Sequence, residues 1–190
     1  MDPRIAVVVI TRDRPHELQR TLTRLRALPE APEIVVVDNG SARPGASAVA
    51  AAGSPVRVIA LPENLGARAR NIGVAAVRTP YVAFADDDSW WAPGALARAA
   101  DALDADPRLA LVNGRILVGD EQREDPNCAA MARSPLPRAP GQQGHALLSF
   151  IACGAVVRRR ASRGLRPGGR RAPPPSGGSR RGRSWCGTWT

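Results

Sequence analysis

Four runs of apolar, mostly branched residues constrain the fold of this chain more than any other feature. The runs are Ile5 to Ile10, Ile34 to Val37, Val56 to Leu61 and Tyr81 to Ala85. Three of the runs are continuously apolar, which is typical of strands that are covered on both faces, as in a parallel sheet, and only Arg57 interrupts the third run. Helical patterns separate the runs, so the sequence predicts an α/β fold with a mostly parallel sheet flanked by helices.

The segments between and after the runs complete this prediction. Pro15 suits a first helical turn, and leucines follow at helical spacing. Further helices are expected at Ala46 to Ala52, at Ala67 to Val77 and around Leu96 to Leu103. Short strands are expected at Leu109 to Val112 and Arg115 to Val118. The polar, Pro-rich stretch from Asp120 to Gly144 predicts a mobile loop.

Polar side chains directly follow three of the four apolar runs. Thr11 and Arg12 follow the first, Asp38 the second, and the triplet Asp86 to Asp88 the fourth. In parallel sheets, ligands bind beyond the carboxyl ends of the strands. The three polar sets therefore predict a binding site at one edge of the sheet.

The acidic triplet is the most informative of these sets. Like charges repel one another and are not buried unpaired. Mg²⁺ or Mn²⁺ prefers oxygen ligands and usually takes one or two carboxylates together with substrate phosphates. Because alternate residues of a strand end point the same way, Asp86 and Asp88 are expected to face one ion while Asp87 points elsewhere. A solvated acidic turn is the alternative for such a triplet taken alone.

A nucleotide that carries a diphosphate matches the remaining polar groups. A carboxylate in the position of Asp38 accepts hydrogen bonds from a base or ribose, and Arg68 or Arg70 adds positive charge for phosphate. Gly66 lets the backbone approach closely. Structural roles remain open for these groups: Arg70 in a surface ion pair, Asp38 in a turn. The glycine signatures of dinucleotide dehydrogenases and P-loop nucleotidases are absent from the sequence.

Charge and composition divide the chain into two parts. The net charge is +10, yet every acidic residue precedes Pro126, and residues 158–190 hold ten arginines. Ser162 to Thr190 is rich in Arg, Gly, Pro and Ser and cannot build a core, which predicts a disordered C-terminal tail. The expected organisation is one domain over residues 3–161 and a tail over 162–190. Residues 1–157 hold 17 Arg and 17 Asp or Glu, and this neutral balance does not indicate a specific nucleic-acid partner.

The remaining composition favours a cytoplasmic protein. No apolar run approaches the ~20 residues of a membrane span, and the three cysteines form no CxxC pair. Peripheral association with the inner face of a membrane stays open at this point.

Four segments together resemble the family 2 glycosyltransferases of the GT-A fold. They are Val7 to Thr11, Ile34 to Ser41, Asn64 to Gly73 and Phe84 to Asp88, in the order and spacing of the family. The resemblance covers residues 3 to 161. It implies a Rossmann-like GT-A sheet and transfer of a sugar from a nucleotide-diphosphate donor, expected to be a UDP-sugar. The acceptor would be a hydroxyl of a glycan, lipid or small molecule, in cell-wall or polysaccharide biosynthesis.

The resemblance also implies roles residue by residue. The nucleotide-sugar donor would contact Thr11, Arg12, Asp38, Asn64, Gly66, Arg70, Asn71 and Asp86. Asp86 and Asp88 would hold Mg²⁺ or Mn²⁺ against the donor diphosphate.

The resemblance ends where the family continues with Gly-Gly-Phe-Asp and then an acidic pair that supplies the general base. No acidic residue follows Asp125, which predicts that the catalytic base is missing and that transfer is impaired. The codons of Arg163 to Pro167, read one nucleotide later, can spell Gly-Gly-Phe-Asp-Pro, so a frameshift near codon 161 is our hypothesis. The alternatives are a nucleotidyltransferase of similar fold and an inactive nucleotide- or polyanion-binding module.

Overall fold

A computed structural model describes residues 2, 4–43, 56–137, 140, 145–147, 149–162 and 185–188. The strands are β1 (Ile5–Thr11), β2 (Glu33–Asp38), β3 (Arg57–Ala60), β4 (Tyr81–Asp86), β5 (Ser89–Trp91), β6 (Leu111–Asn113), β7 (Arg115–Val118), β8 (Arg123–Glu124), β9 (Ala155–Arg158) and β10 (Trp185–Thr188). The helices are α1 (Pro15–Arg26), α2 (Ala69–Ala76), α3 (Ala95–Ala105), α4 (Pro126–Ala132) and α5 (Arg159–Ser162). The helix expected at Ala46 to Ala52 lies outside the described residues.

The main sheet has six strands in the order β3-β2-β1-β4-β9-β6. β1 pairs in parallel with both β2 and β4, and β2 pairs in parallel with β3. β9 is antiparallel to its neighbours β4 and β6. The four predicted strands therefore form the parallel part, and the expectation of a mostly parallel α/β sheet is confirmed.

Alternating side chains of β1 enter two separate cores on the two faces of the sheet. Ile5, Val7 and Val9 pack with the buried leucines of α1 and α3 on one face. Ala6 and Val8 pack with the buried residues of α2 on the other face. Burying a Val or Leu side chain contributes about 1.5–3 kcal/mol. The side chains of β1 therefore stabilise the packing of helices on both faces of the sheet.

Gly73 sets the distance between α2 and the sheet. A Cβ atom at this position would lie 2.3 Å from Cγ1 of Val8 and 3.1 Å from Cγ2 of Val37. Only a residue without a side chain allows the helix to approach this closely. The same helix carries Arg70 in its first turn, so Gly73 also fixes the depth of that arginine.

The segment from Asp120 to Gly144 differs from the predicted mobile loop, because part of it is regular. β8 pairs with β7, and α4 follows directly. The carboxylate of Asp125 accepts a hydrogen bond from the backbone N–H of Asn127 at 2.8 Å, and Pro126 occupies the first turn. Both are standard signals of a helix start, and they outweigh the polar composition of the stretch.

A second, four-stranded sheet has the order β5-β10-β7-β8. β10 comes from the region predicted to be a disordered tail, and it pairs in parallel with β5 and antiparallel with β7. Across the described ranges, no helix combines the length and apolar character needed to cross a bilayer.

Candidate functional site

The strand register brings the predicted polar groups to one edge of the sheet. Thr11 is paired with Asp38 across β1 and β2, and Ile10 is paired with Asp86 across β1 and β4. The carboxyl ends of three neighbouring parallel strands therefore lie side by side. Ligands of α/β proteins bind at this kind of edge.

Asp87 anchors the acidic triplet to the start of the chain. Asp87 is only 4% exposed to solvent. Its carboxylate accepts hydrogen bonds from the Thr11 hydroxyl at 2.9 Å and from Arg14 Nη1 at 2.7 Å. The Thr21 hydroxyl donates to its backbone carbonyl at 2.8 Å. Burial raises the pKa of Asp87 from 3.8 to about 6, although the bonds from Thr11 and Arg14 act in the opposite direction.

The two outer carboxylates of the triplet each contact an arginine. Arg70 Nη2 contacts Oδ1 of Asp86. Arg14 donates from both terminal nitrogens to Oδ2 of Asp88, each at 3.1 Å. The side chain of Asp86 is 39% exposed and that of Asp88 is 18% exposed. Both carboxylates are thus partly open to solvent, whereas the carboxylate between them is enclosed.

Asp38 lies at the end of β2 and organises the turn that follows. Its buried carboxylate accepts a hydrogen bond from the backbone N–H of Ser41 at 3.0 Å. The next residue, Asn39, joins this turn to the loop before α2. Its side chain accepts from the N–H of Leu65 and donates to Oδ1 of Asn64, both at 2.8 Å. Asn64 therefore holds two loops together.

Two glycines shape the same pair of loops. Gly40 has φ +72°, and a Cβ there would lie 2.5 Å from the carbonyl carbon of Glu63. Gly66 has φ +57°, and nothing lies within 4 Å of its Cβ position. Gly40 thus permits close contact between the loops, whereas Gly66 borders open space that a ligand can enter.

The structure places the remaining predicted residues at the rim of this edge. Arg12 is exposed and donates from Nε to the carbonyl of Gly40 at 3.3 Å. Asn71 is exposed on the first turn of α2. The predicted set thus has a convergent centre at Thr11, Asp38, Asp86, Asp88 and Arg70.

Sequence reasoning missed two residues that belong to this centre. Arg14 pairs with two carboxylates of the triplet, although its partners lie more than 70 positions away in the chain. Cys153 lies on a single 3-10 turn, Ala152–Gly154. Burial raises the pKa of its thiol to about 12, and the charges of Asp86 and Asp88 act in the same direction. Cys153 is therefore a neutral, partly buried residue beside the acidic triplet.

The donor chemistry of Asp86 and Asp88 suits a hard divalent cation. The described part of the chain has no group of three or more His, Cys, Asp or Glu side chains arranged to hold a metal. Two partly exposed carboxylates fit a cation that completes its coordination with phosphate oxygens and water.

The fold and this edge together define an α/β protein whose polar groups meet beyond the carboxyl ends of a parallel sheet. Residues 6–166 match the family model described as glycosyl transferase family 2. The chain belongs to this family.

Two curated relatives are named for glycosyl transfer and for succinoglycan biosynthesis. The chain is 36% identical over 119 residues to a pre-mycofactocin glycosyltransferase of Mycobacterium tuberculosis, covering 60% of the chain and 23% of that protein. It is 31% identical over 96 residues to the succinoglycan biosynthesis protein ExoU of Rhizobium meliloti, covering 48% of the chain and 28% of that protein. The chain thus matches only about a quarter of the length of each relative.

Solved structures share the fold. The mannosyltransferase PcManGT of Pyrobaculum calidifontis, in complex with GDP-Man and Mn²⁺, aligns with a TM-score of 0.61 at 21% identity, over 84% of this chain and 46% of that chain. S. aureus TarS 1–349 in complex with UDP-GlcNAc aligns with a TM-score of 0.57 at 20% identity, over 82% of this chain and 45% of that chain. These alignments confirm the predicted GT-A fold.

Proposed function

We propose that this chain is the donor-binding part of a glycosyltransferase that moves a sugar from a nucleotide diphosphate to an acceptor hydroxyl. The observation that carries the proposal is the strand register, which aligns Thr11 with Asp38 and sets Asp86 beside them. Family membership and the names of the relatives support the reaction class. The succinoglycan relative supports a glycan as acceptor.

Each polar group has a definite task in this proposal. Asp38, at the end of β2, accepts hydrogen bonds from the base or ribose of the donor. Asp86 and Asp88 hold Mg²⁺ or Mn²⁺ through their partly exposed oxygens. When bound, such a cation neutralises charge on the departing diphosphate. Arg70 donates to phosphate oxygens, and the open space at Gly66 admits the diphosphate.

The proposed donor is a UDP-sugar, and GDP-sugars are the comparison to make. Solved relatives contain UDP-GlcNAc in one case and GDP-Man in another. Residues 126–190 contain no Asp or Glu that could deprotonate an acceptor hydroxyl. We therefore expect donor binding by this chain without appreciable sugar transfer.

Isothermal titration with UDP and with GDP, each in the presence of Mn²⁺, tests the proposal. We expect UDP to bind the wild-type chain and Asp38→Asn to weaken its affinity about 10- to 100-fold, as loss of a hydrogen bond to a charged group implies. Asp120→Asn, which removes an exposed carboxylate beyond β7, is the matched control and should bind UDP as the wild type does. Equal UDP affinity in Asp38→Asn and wild type would contradict the assignment of Asp38.

A further inference from the structure

The two outer carboxylates of the acidic triplet already have cationic partners within the chain. Arg70 contacts Asp86, and Arg14 contacts Asp88 through both of its terminal nitrogens at 3.1 Å. Each guanidinium group uses one oxygen of its partner, Oδ1 of Asp86 or Oδ2 of Asp88. A divalent cation held by the same two carboxylates would therefore compete with the arginines for them.

We propose that Arg70 and Arg14 are exchangeable counter-ions, which leave the outer carboxylates when a metal ion and a diphosphate bind together. The inference rests on the proposed function, and it adds an order of events at the same site. A divalent cation at Asp86 and Asp88 would face two positive groups at contact distance, which repel it. A diphosphate supplies new acceptors for the released guanidinium groups.

Arg70 is the partner better suited to move. Arg70 forms an ion pair with one carboxylate of the triplet, that of Asp86. Its Nε is buried without a hydrogen-bond partner. A buried donor without an acceptor is unfavourable, and a phosphate oxygen would satisfy it. Its side chain is 17% exposed, so it is oriented by its surroundings and still reachable from the edge.

Arg14 responds differently because it has a second partner that stays in place. Its Nη1 also donates to the enclosed carboxylate of Asp87 at 2.7 Å. Release from Asp88 therefore leaves Arg14 attached to Asp87, with Nη2 free to turn toward a phosphate. We expect the larger effect on metal binding from Arg70 and the smaller from Arg14.

The consequence is cooperative binding of cation and diphosphate. Mn²⁺ alone must displace Arg70 from Asp86 and detach Arg14 from Asp88, although Arg14 keeps its bond to Asp87, so the ion binds weakly. A diphosphate would accept hydrogen bonds from the released arginines and would supply oxygen ligands to the cation, so each ligand raises the affinity for the other by the same factor. A factor of about 5 to 150 is typical of such coupling.

Mn²⁺ binding to the full 190-residue chain, followed by electron paramagnetic resonance, tests the exchange. Titrations use Mn²⁺ alone, Mn²⁺ with UDP and Mn²⁺ with inorganic pyrophosphate. In Arg70→Met we expect Mn²⁺ alone to bind about 10-fold more tightly than in wild type, and the coupling factor to fall below that of wild type. Arg70→Lys keeps the positive charge, so its affinity for Mn²⁺ alone should stay near that of wild type.

Arg57→Met is the matched control. Arg57 also contacts α2, donating to the carbonyl of Ala76 at 2.8 Å, and its removal deletes one positive charge without touching the triplet. It should bind Mn²⁺ as the wild type does. Arg70→Gln replaces Arg70→Met if thermal unfolding shows that the methionine variant is not folded.

Two outcomes would overturn the inference. One is an Arg70→Met or Arg70→Gln variant that binds Mn²⁺ alone no more tightly than wild type. The other is a joint loss of Mn²⁺ and UDP affinity, which a purely structural role of Arg70 would produce. Coupling with pyrophosphate but no binding of UDP would instead contradict the proposed function and support the exchange, so the two ideas fail separately.

Discussion

The enclosed carboxylate of Asp87 makes a specific prediction about stability and pH. Its pKa is 3.8 ordinarily and about 6 in the folded chain, because burial disfavours its charged form. A folded-state pKa above the unfolded value means that the folded chain holds its proton more tightly. The stability from this group is therefore complete below about pH 4 and is lost as the pH rises through 6.

The size of the effect follows from the two pKa values. At 1.36 kcal/mol per pH unit, the full loss is about 3 kcal/mol, of which about 1.3 kcal/mol falls between pH 5 and pH 7. Asp87→Asn has nearly the same shape and removes this titration. The free energy of unfolding of wild type minus that of Asp87→Asn should therefore decrease by about 1.3 kcal/mol from pH 5 to pH 7.

Urea unfolding at pH 5, 6 and 7, with EDTA present to remove divalent cations, measures this difference. Asp104→Asn provides a control whose difference from wild type should stay flat from pH 5 to pH 7, because hydrogen bonds from Tyr81 and then Arg4 lower the pKa of Asp104. The stability from Asp104 is present above its unfolded pKa and is lost as the pH falls. A wild-type minus Asp87→Asn difference that stays flat, or that grows with pH, would refute the assignment of Asp87 as a buried carboxylate with a raised pKa.

Three further predictions concern the fold and the site. Glu30→Ala removes a buried carboxylate that accepts hydrogen bonds from the N–H groups of Leu96 and Ala97 at the start of α3. In urea titrations the free energy of unfolding should fall by about 1–3 kcal/mol, with an unchanged denaturant slope. Gly40→Ala combines a left-handed φ with a clash against backbone, so the melting temperature should fall, and an unchanged value would contradict the tight contact between the loops. Asp86→Asn should abolish the Mn²⁺ dependence of UDP binding in calorimetry, whereas retained dependence would exclude this residue as a metal ligand.

The central part of the fold was predictable because its strands are long and continuously apolar. β1, β2 and β4 each have at least six residues, and the polar residues that follow them point to one sheet edge. β5 and β8 were missed because strands of three and two residues have no recognisable periodicity. Tertiary pairing, rather than local sequence, defines such short elements.

The site was predictable at the level of residue types, but not at the level of partners. Side-chain alternation indicated that Asp87 points away from Asp86 and Asp88, yet nothing local indicates that Thr11 and Arg14 would meet it. Contacts between residues more than 70 positions apart depend on strand order and register. Helix α4 is a different case, since the sequence Asp125-Pro126 already contained its start signal.

Gly73 has a consequence for how variants of this chain should be interpreted. It has no side chain with which to contact a ligand, yet any substitution would push α2 away from Val8. Arg70, one turn earlier on the same helix, would be displaced with it. In a mutational scan scored by ligand capture, Gly73 would therefore group with the binding residues although no ligand can reach it. Such a score would report the separation of a helix from a sheet.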